Sequence, residues 1–400
     1  MHALTLQRVD KATLMLALVI ALMGSGLSPG ISMAGAQAVR VTGAEQVVFD
    51  WSTDACETLD YPDAPARAFR DADGRTQLIA SHFINRRMVG SDLDRVVRDC
   101  TVIMGSGADA DPAQFDDREW IHSTYTLDGS KIYALVHQEY QGQHHKAGCA
   151  VNDDRTCWYN SVTLAVSTDA GDSYTQRPSP DRLVASIPYP YEAGAGPVGV
   201  FNPSNIVRNA KDGYYYALVH TRPYRAQGWG TCVMRTGNLA DPSAWRAWNG
   251  RSFAVSFIDP YTNMTADPEA HVCKPVSTRN IGALYSSVTY NEALGRFVLV
   301  GMVEDEQDGR TQAGFYYSLS SDLVNWSKRR LLMAGHIPSA GICAEDRPVA
   351  YPSILDPDSA GRNFEGSDGD AYLYFTRFNY DGCSMTSDRD LVRVPIAFSR

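Results

Sequence analysis

The pentapeptide Tyr-Ala-Leu-Val-His occurs twice, at residues 133–137 and 216–220, and each copy follows an Asp-Gly turn, Asp128-Gly129 and Asp212-Gly213. A turn, a strand and a polar strand end that recur together mark an internal repeat, and such repeats stack radially or as a solenoid. Equivalent points of successive repeats then meet around one axis, and function is expected there.

Strand and turn signals alternate along the whole chain at the short spacing of antiparallel sheets. They group into five units, with strands expected at 64–69 and 77–83; at 120–126, 131–140 and 161–167; at 204–208, 214–222 and 231–236; at 284–290, 297–304 and 314–320; and at 351–355, 371–377 and 390–395. Five units of about four strands each predict an all-β fold, a five-bladed β-propeller of four-stranded antiparallel blades, which leaves only short protected sheet edges. The units are too long and uneven for a β-helix, and a sandwich would not explain why turn, strand and polar end recur together.

The first residues read differently. Arg8 and Lys11 precede an apolar run at 12–22, and a small, polar stretch ends in Ala36-Gln37-Ala38, the A-x-A pattern of signal-peptide cleavage. Residues 1–38 are therefore expected to be a signal peptide and 39–400 a single propeller domain, secreted or periplasmic and monomeric. The chain carries a net charge of −10, which argues against nucleic acid and anionic membranes as partners. No later segment has the length and apolarity of a membrane span.

Eight cysteines follow the cleavage pattern, at 56, 100, 149, 157, 232, 273, 343 and 383. An even count in an exported chain favours disulfides, with sequential pairing the simplest arrangement. Zinc spacing is lacking: there is no C-x-x-C and no H-x-x-x-H.

In a propeller, first-strand starts and second-strand ends surround one axial funnel. The predicted mouth holds Asp60, Asp63, Asp116, Asp117, Glu119, His122, Asn202 and Asn205 from strand starts, with Glu345, Asp346 and Arg347 of the fifth unit. From strand ends it holds His82, Arg86, His137, Glu139, His220, Arg222, Glu304 and Arg377. Acids, guanidinium groups, amides and aromatic faces in one concavity suit a sugar's hydroxyls and apolar ring faces.

Two outer turns carry a family resemblance. Residues 167–174, Ser-Thr-Asp-Ala-Gly-Asp-Ser-Tyr, resemble the Asp-box of sialidases. Residues 321–326, Ser-Asp-Leu-Val-Asn-Trp, resemble the S-x-D-L-x-x-W turn of five-bladed propeller glycosidases. Both motifs are structural there, so Asp169 and Asp322 are not expected to do chemistry. As architecture the chain resembles the arabinanase, xylosidase and fructosidase type of five-bladed propeller glycoside hydrolase, with a weaker likeness to sialidases. That resemblance implies an essential Asp at the start of the first inner strand, matched by Asp63, and a Glu acid in blade three. There this chain has Phe201-Asn202-Pro203-Ser204-Asn205 instead. It also implies no cofactor beyond a Ca²⁺ that relatives can hold in the axial channel.

Glycoside hydrolysis needs two carboxyl groups across one bond, about 5–5.5 Å apart for retention or about 6.5–9.5 Å for inversion. The expected pair is Asp63 as base and Glu139 as acid, with Glu304 as the alternative acid. His137, Asn202 and His220 are expected to hold the sugar. Arg86, Arg222 and Arg377, at corresponding strand ends, are the candidates for an anionic group. The function expected is a secreted glycoside hydrolase acting on a polysaccharide or oligosaccharide. The alternatives are a non-catalytic carbohydrate-binding or interaction propeller and a sialidase-like hydrolase of an anionic sugar. No P-loop, G-x-S-x-G, H-E-x-x-H or Rossmann pattern competes.

Overall fold

The computed structural model describes residues 38–145, 149, 154–282, 284–307, 310–339 and 341–400. The expected signal peptide, apart from Ala38, lies outside them. The described chain is all-β, with only two four-residue α-helices, α1 (Trp51–Asp54) and α2 (Thr278–Ile281). No helix among the described residues is long and apolar enough to cross a membrane.

Strands β1 (Ala38–Val41) and β2 (Gln46–Phe49) come first and belong to the last group. A first antiparallel group follows: β3 (Arg67–Arg70), β4 (Thr76–Ile79), β5 (Asn85–Gly90) and β6 (Val97–Met104). The second has β7 (Arg118–Thr126), β8 (Ile132–Gln141) and β9 (Trp158–Ser167), with short β10 (Thr175–Gln176) and β11 (Leu183–Ala185) on β9. The third is built from β12 (Val198–Phe201) and β13 (Val207–Arg208), both paired with β14 (Tyr215–Thr221), then β15 (Gly230–Thr236), β16 (Arg246–Trp248) and β17 (Phe253–Val255). The fourth runs β18 (Ser287–Asn291), β19 (Arg296–Gln307), β20 (Arg310–Ser320), β21 (Arg330–Ala334). The fifth starts at β22 (Val349–Leu355) and, after a two-residue β23 (Gly366–Ser367) that pairs with β18, continues through β24 (Asp370–Phe378) and β25 (Arg389–Ser399). Its outer edge is completed by β1 and β2, both antiparallel to β25. A parallel pairing of β12 with β9 joins the second and third groups into one sheet.

Apolar clusters sit between consecutive groups. Ile79 and Ile103 meet Ile121 and Val136; Leu135 and Val162 meet Val219 and Met234; Leu218 and Val233 meet Val288 and Leu299; Val300 and Phe315 meet Leu373 and Phe375. The last cluster joins Leu355, Tyr374 and Leu391 of the fifth group to Leu78 and Met88 of the first. This explains the duplicated pentapeptide. On β8, Ala134 and Val136 face one neighbour while Leu135 faces the other, so a strand covered on both sides must be apolar at every position rather than at alternate ones.

Hydrogen bonds between inner segments run the same circuit. The Ile206 N–H donates to Ser123 Oγ at 2.9 Å, the Asn205 side chain exchanges two bonds with the Val288 backbone, the Ile354 N–H donates to Ser287 Oγ, and Ser353 Oγ donates to the Ala66 carbonyl at 2.7 Å. Arg67 sits across the centre. Its guanidinium donates to the carbonyls of His122 and Ser286, both at 2.6 Å, and to Ser353 Oγ, touching the second, fourth and fifth groups.

Four disulfides form in the sequential pattern expected: Cys56–Cys100, Cys149–Cys157, Cys232–Cys273 and Cys343–Cys383. They fit a protein of an oxidising compartment. The two outer turns are structural, as expected. Asp169 accepts from the Ser173 N–H, Ser173 Oγ and Ser167 Oγ, while Tyr174 is buried beneath. Asp322 accepts from the Val324 and Asn325 N–H groups.

Candidate active site

A cavity of about 490 Å³ opens where the starts of β7 and β22 meet the ends of β8 and β24. Strand alternation determines what faces it. Along β8 the residues His137, Glu139 and Gln141 line the cavity, and along β7 so do Arg118, Trp120 and His122, each set at period two. In the antiparallel register Arg118 lies opposite Glu139, and Trp120 opposite His137.

Backbone irregularities deliver two further groups. The β7–β8 register shifts between Ile121 and Ser123, which makes His122 the extra residue of a bulge. Another shift, between Ala350 and Ser353 on β22, accompanies a left-handed φ of 58° at Tyr351. A bulky residue there is an outlier, and both bulges and strained residues concentrate at functional sites. The strain at Tyr351 aims its hydroxyl at Asp63. Asn202, also left-handed at φ 41°, presents its backbone N–H to the site.

Asp63, in the loop before β3, is held on one oxygen. Oδ1 accepts from Tyr351 Oη at 3.0 Å and from Arg389 Nη1, and His82 Nε2 lies 3.9 Å from Oδ2. The Arg389 guanidinium is itself sandwiched between the rings of Tyr61 and Phe378, at 4.2 and 4.8 Å. Burial pushes the Tyr351 hydroxyl well above its ordinary range, with the Asp63 charge adding to the effect, so Tyr351 donates rather than ionises.

Glu139 is held on both oxygens. His137 Nε2 contacts Oε1 at 3.0 Å, and the Gln141 amide donates to Oε2 at 2.7 Å. The histidine tautomer follows from its other nitrogen: Nδ1 accepts the Asn202 backbone N–H at 3.2 Å, so the ring proton is on Nε2 and points at Glu139. The fields of Asp63 and Glu139 both act on His82 and on Tyr351, so the two acids share the cavity. Burial lowers His82 to about 4 and His122 well below its usual value, leaving both neutral at ordinary pH.

The expected mouth is thus assembled in part. Asp63, His82, His122, His137, Glu139 and Asn202 share the cavity. His220 and Arg222 stand behind its wall: His220 stacks on Tyr285 at 5.1 Å, and Arg222 lies over Phe201 at 5.7 Å. The three expected arginines do not converge. Arg86 belongs to β5 rather than to the end of the preceding strand; buried, it pairs with Glu57 at 2.6 Å and donates to the Cys100 carbonyl, in the stretch of β6 that carries the extra residues of a register shift. Arg377 faces away because its neighbour on β24, Phe378, takes the cavity side; it pairs with Asp390 and Glu45. Glu304 is exposed and lines a separate cavity of about 580 Å³ together with Arg377. Asp60 is fully buried, accepting the Cys56 N–H beside Arg98.

Sequence reasoning missed Arg118, Trp120, Tyr351, Phe378 and Arg389. The first two were legible, since they share the face of His122 at i−4 and i−2. Tyr351 and Arg389 were not, because the bulge on β22 and the approach of β25 are tertiary facts.

Between the inner strands, the Arg67 guanidinium that holds the His122 and Ser286 carbonyls also borders a space of about 10 Å³. Among the described residues no group of three or more His, Cys, Asp or Glu side chains converges as metal ligands would.

No protein-family model and no curated protein matches this chain. Among solved structures, a protein of unknown function from Dyadobacter fermentans DSM 18053 superposes with a TM-score of 0.51 at 9% identity, over 90% of this chain and 99% of that one. The endo-arabinase of Bacteroides thetaiotaomicron VPI-5482 follows at 0.45 and 10%, over 88% and 97% of the two chains. The α-L-arabinanase of Cellvibrio cellulosa with arabinohexaose gives 0.44 and 12%, over 84% and 91%. The first is a likeness of fold alone, and the two weaker ones bear no argument about activity.

Proposed function

We propose that this chain is an exported five-bladed β-propeller that hydrolyses glycosidic bonds in a polysaccharide or oligosaccharide, with Asp63 as base and Glu139 as acid. The blade count is supported by five antiparallel groups, five clusters between consecutive groups including the fifth and first, and the outer strand supplied by β1. Export is supported by the four disulfides and by the A-x-A pattern.

One observation carries the catalytic reading: Asp63 and Glu139, from different groups, enter one cavity walled by Trp120, Trp158, Phe83 and Tyr351. Their surroundings divide the labour. Asp63 accepts from Arg389 and Tyr351 through Oδ1, and its Oδ2 remains free to take a proton from water, as a base must. Each oxygen of Glu139 accepts one hydrogen bond, leaving a position on the cavity side for the proton an acid delivers. In the reaction that proton goes to the leaving-group oxygen as the C–O bond breaks, and the attacking water loses its proton to Asp63. Trp and Phe faces cover the sugar rings.

The test is hydrolysis of a panel of arabinans, xylans, fructans and sialosides by the purified mature chain. Asp63→Asn and Glu139→Gln should each lower kcat/KM by roughly 10²–10⁴-fold with the fold intact. Full activity in both variants overturns the assignment. Binding without cleavage by wild type would leave a carbohydrate-binding propeller, a reading favoured by the occupation of Asp63 Oδ1 by two donors.

A further inference from the structure

Arg118 differs from every other charged group of the cavity. Arg389 is neutralised by Asp63, and Glu139 is engaged by His137 and Gln141. Arg118 has no carboxylate within 4.0 Å among the described residues; its guanidinium rests only against the Phe83 ring at 5.1 Å, and it acts on His82 and Tyr61 through its field. Both Arg118 and Phe83 line the cavity, so this cation belongs to the wall that a ligand would meet.

The charge balance sharpens this. With Asp63 and Glu139 both ionised, the two acids and two arginines of the cavity cancel. An acid catalyst must carry its proton when substrate is bound, and once Glu139 does, the cavity keeps one uncompensated positive charge, on Arg118. A guanidinium in the wall of a concave, aromatic-lined site is suited to pair bidentately with a planar carboxylate, an arrangement that a neutral hydroxymethyl group cannot match.

We infer that Arg118 is the specificity residue of the site and that the sugar bound beside Glu139 bears a carboxylate, a uronic acid rather than its neutral counterpart. This rests on the hydrolase reading for the protonation of Glu139. It replaces the expected arginine cluster of Arg86, Arg222 and Arg377 by a single residue in another strand.

The experiment compares D-glucuronate with D-glucose and D-galacturonate with D-galactose, pairs that differ only at C6, by calorimetric titration of the folded mature chain at low salt. Wild type should bind one uronate at least about tenfold more tightly than its neutral partner, the scale of one charge-assisted contact. Arg118→Gln should abolish the discrimination, whereas Arg118→Lys, which keeps charge without the fork, should retain part of it. Equal binding of acid and neutral sugars by wild type, or an unchanged preference in Arg118→Gln, overturns the inference. The hydrolase reading survives that failure if a neutral polysaccharide is cleaved in a Glu139-dependent manner. Absence of binding and cleavage for every sugar overturns both.

Discussion

Glu119 shows how a single residue can be buried next to the site without belonging to it. It neighbours Arg118 on β7, but the pleat turns it the other way, where it accepts the Gln176 amide at 2.7 Å and shares a hydrogen bond with Asp116. Burial raises its carboxyl to about 8, with the Asp116 charge adding to the effect. A carboxyl raised on folding binds protons more tightly in the native state, so its stabilising contribution is complete below about 4.5 and is lost as pH rises toward 8. His82 and His220, both lowered to about 4 by burial, act in the opposite sense: their contribution is present above about 6.5 and lost as pH falls toward 4. Between about 4.5 and 6.5 the two histidines outweigh the one carboxyl, and above 6.5 only the carboxyl acts, so the sum of the three should be greatest near pH 6.5. Glu119→Gln keeps both hydrogen bonds, since its amide oxygen accepts from Gln176 and its amide N–H donates to Asp116. Thermal unfolding should show this variant more stable than wild type at pH 8 and equal to it near pH 4.5. A constant difference at both pH values would mean that Glu119 does not titrate in this window.

At the scale of elements, the strands most legible in the sequence were those covered on both sides. Residues 120–126, 131–140 and 231–236 read as strands because their apolar runs end at turn residues, and β7, β8 and β15 fall there within a few residues. The outer strands β6, β16, β17 and β21 were not called, because exposed positions dilute the signal, and β5 was not because it opens on three buried polar residues, Asn85, Arg86 and Arg87. Which way each strand's polar residues point was half legible. Period two places His137 with Glu139 and Gln141, but it cannot announce the register shifts beside Arg86, His122 and Tyr351. The duplicated pentapeptide makes the same packing claim at two sites, and it is testable at both. Leu135 and Leu218 are fully buried, the first between the second and third groups and the second between the third and fourth. Leu135→Ala and Leu218→Ala should each lower unfolding free energy by about 2–5 kcal/mol in urea denaturation, the range for a Leu deleted from a packed core. A much smaller loss at either site would show that its interface is loose and that the two copies are not equivalent.

On the scale of the molecule, the arrangement depends on its two ends meeting. Val39 pairs with Phe398 and Val41 with Ile396, and Val39, buried, joins the cluster between the fourth and fifth groups that also holds Phe398 and Ile396. The expected cleavage after Ala38 would therefore free the chain inside its own closing strand, leaving Val39–Val41 of β1, so that folding can finish only when the last strand, β25, has formed a place for them. Two measurements follow. Mass spectrometry of the exported protein should give Val39 as the mature N-terminus. A variant that begins at Ala44 keeps β2 but loses β1; it gives up the burial of Val39 and leaves part of the β25 edge unpaired. At about 1.5–3 kcal/mol per fully buried apolar side chain, its urea midpoint should fall clearly below that of the mature chain. The bare edge should also promote self-association in size-exclusion chromatography, since an exposed strand edge is a template for pairing with another copy. An unchanged midpoint in a monomeric variant would show that β2 alone closes the fifth group, and that the fold does not need its first strand.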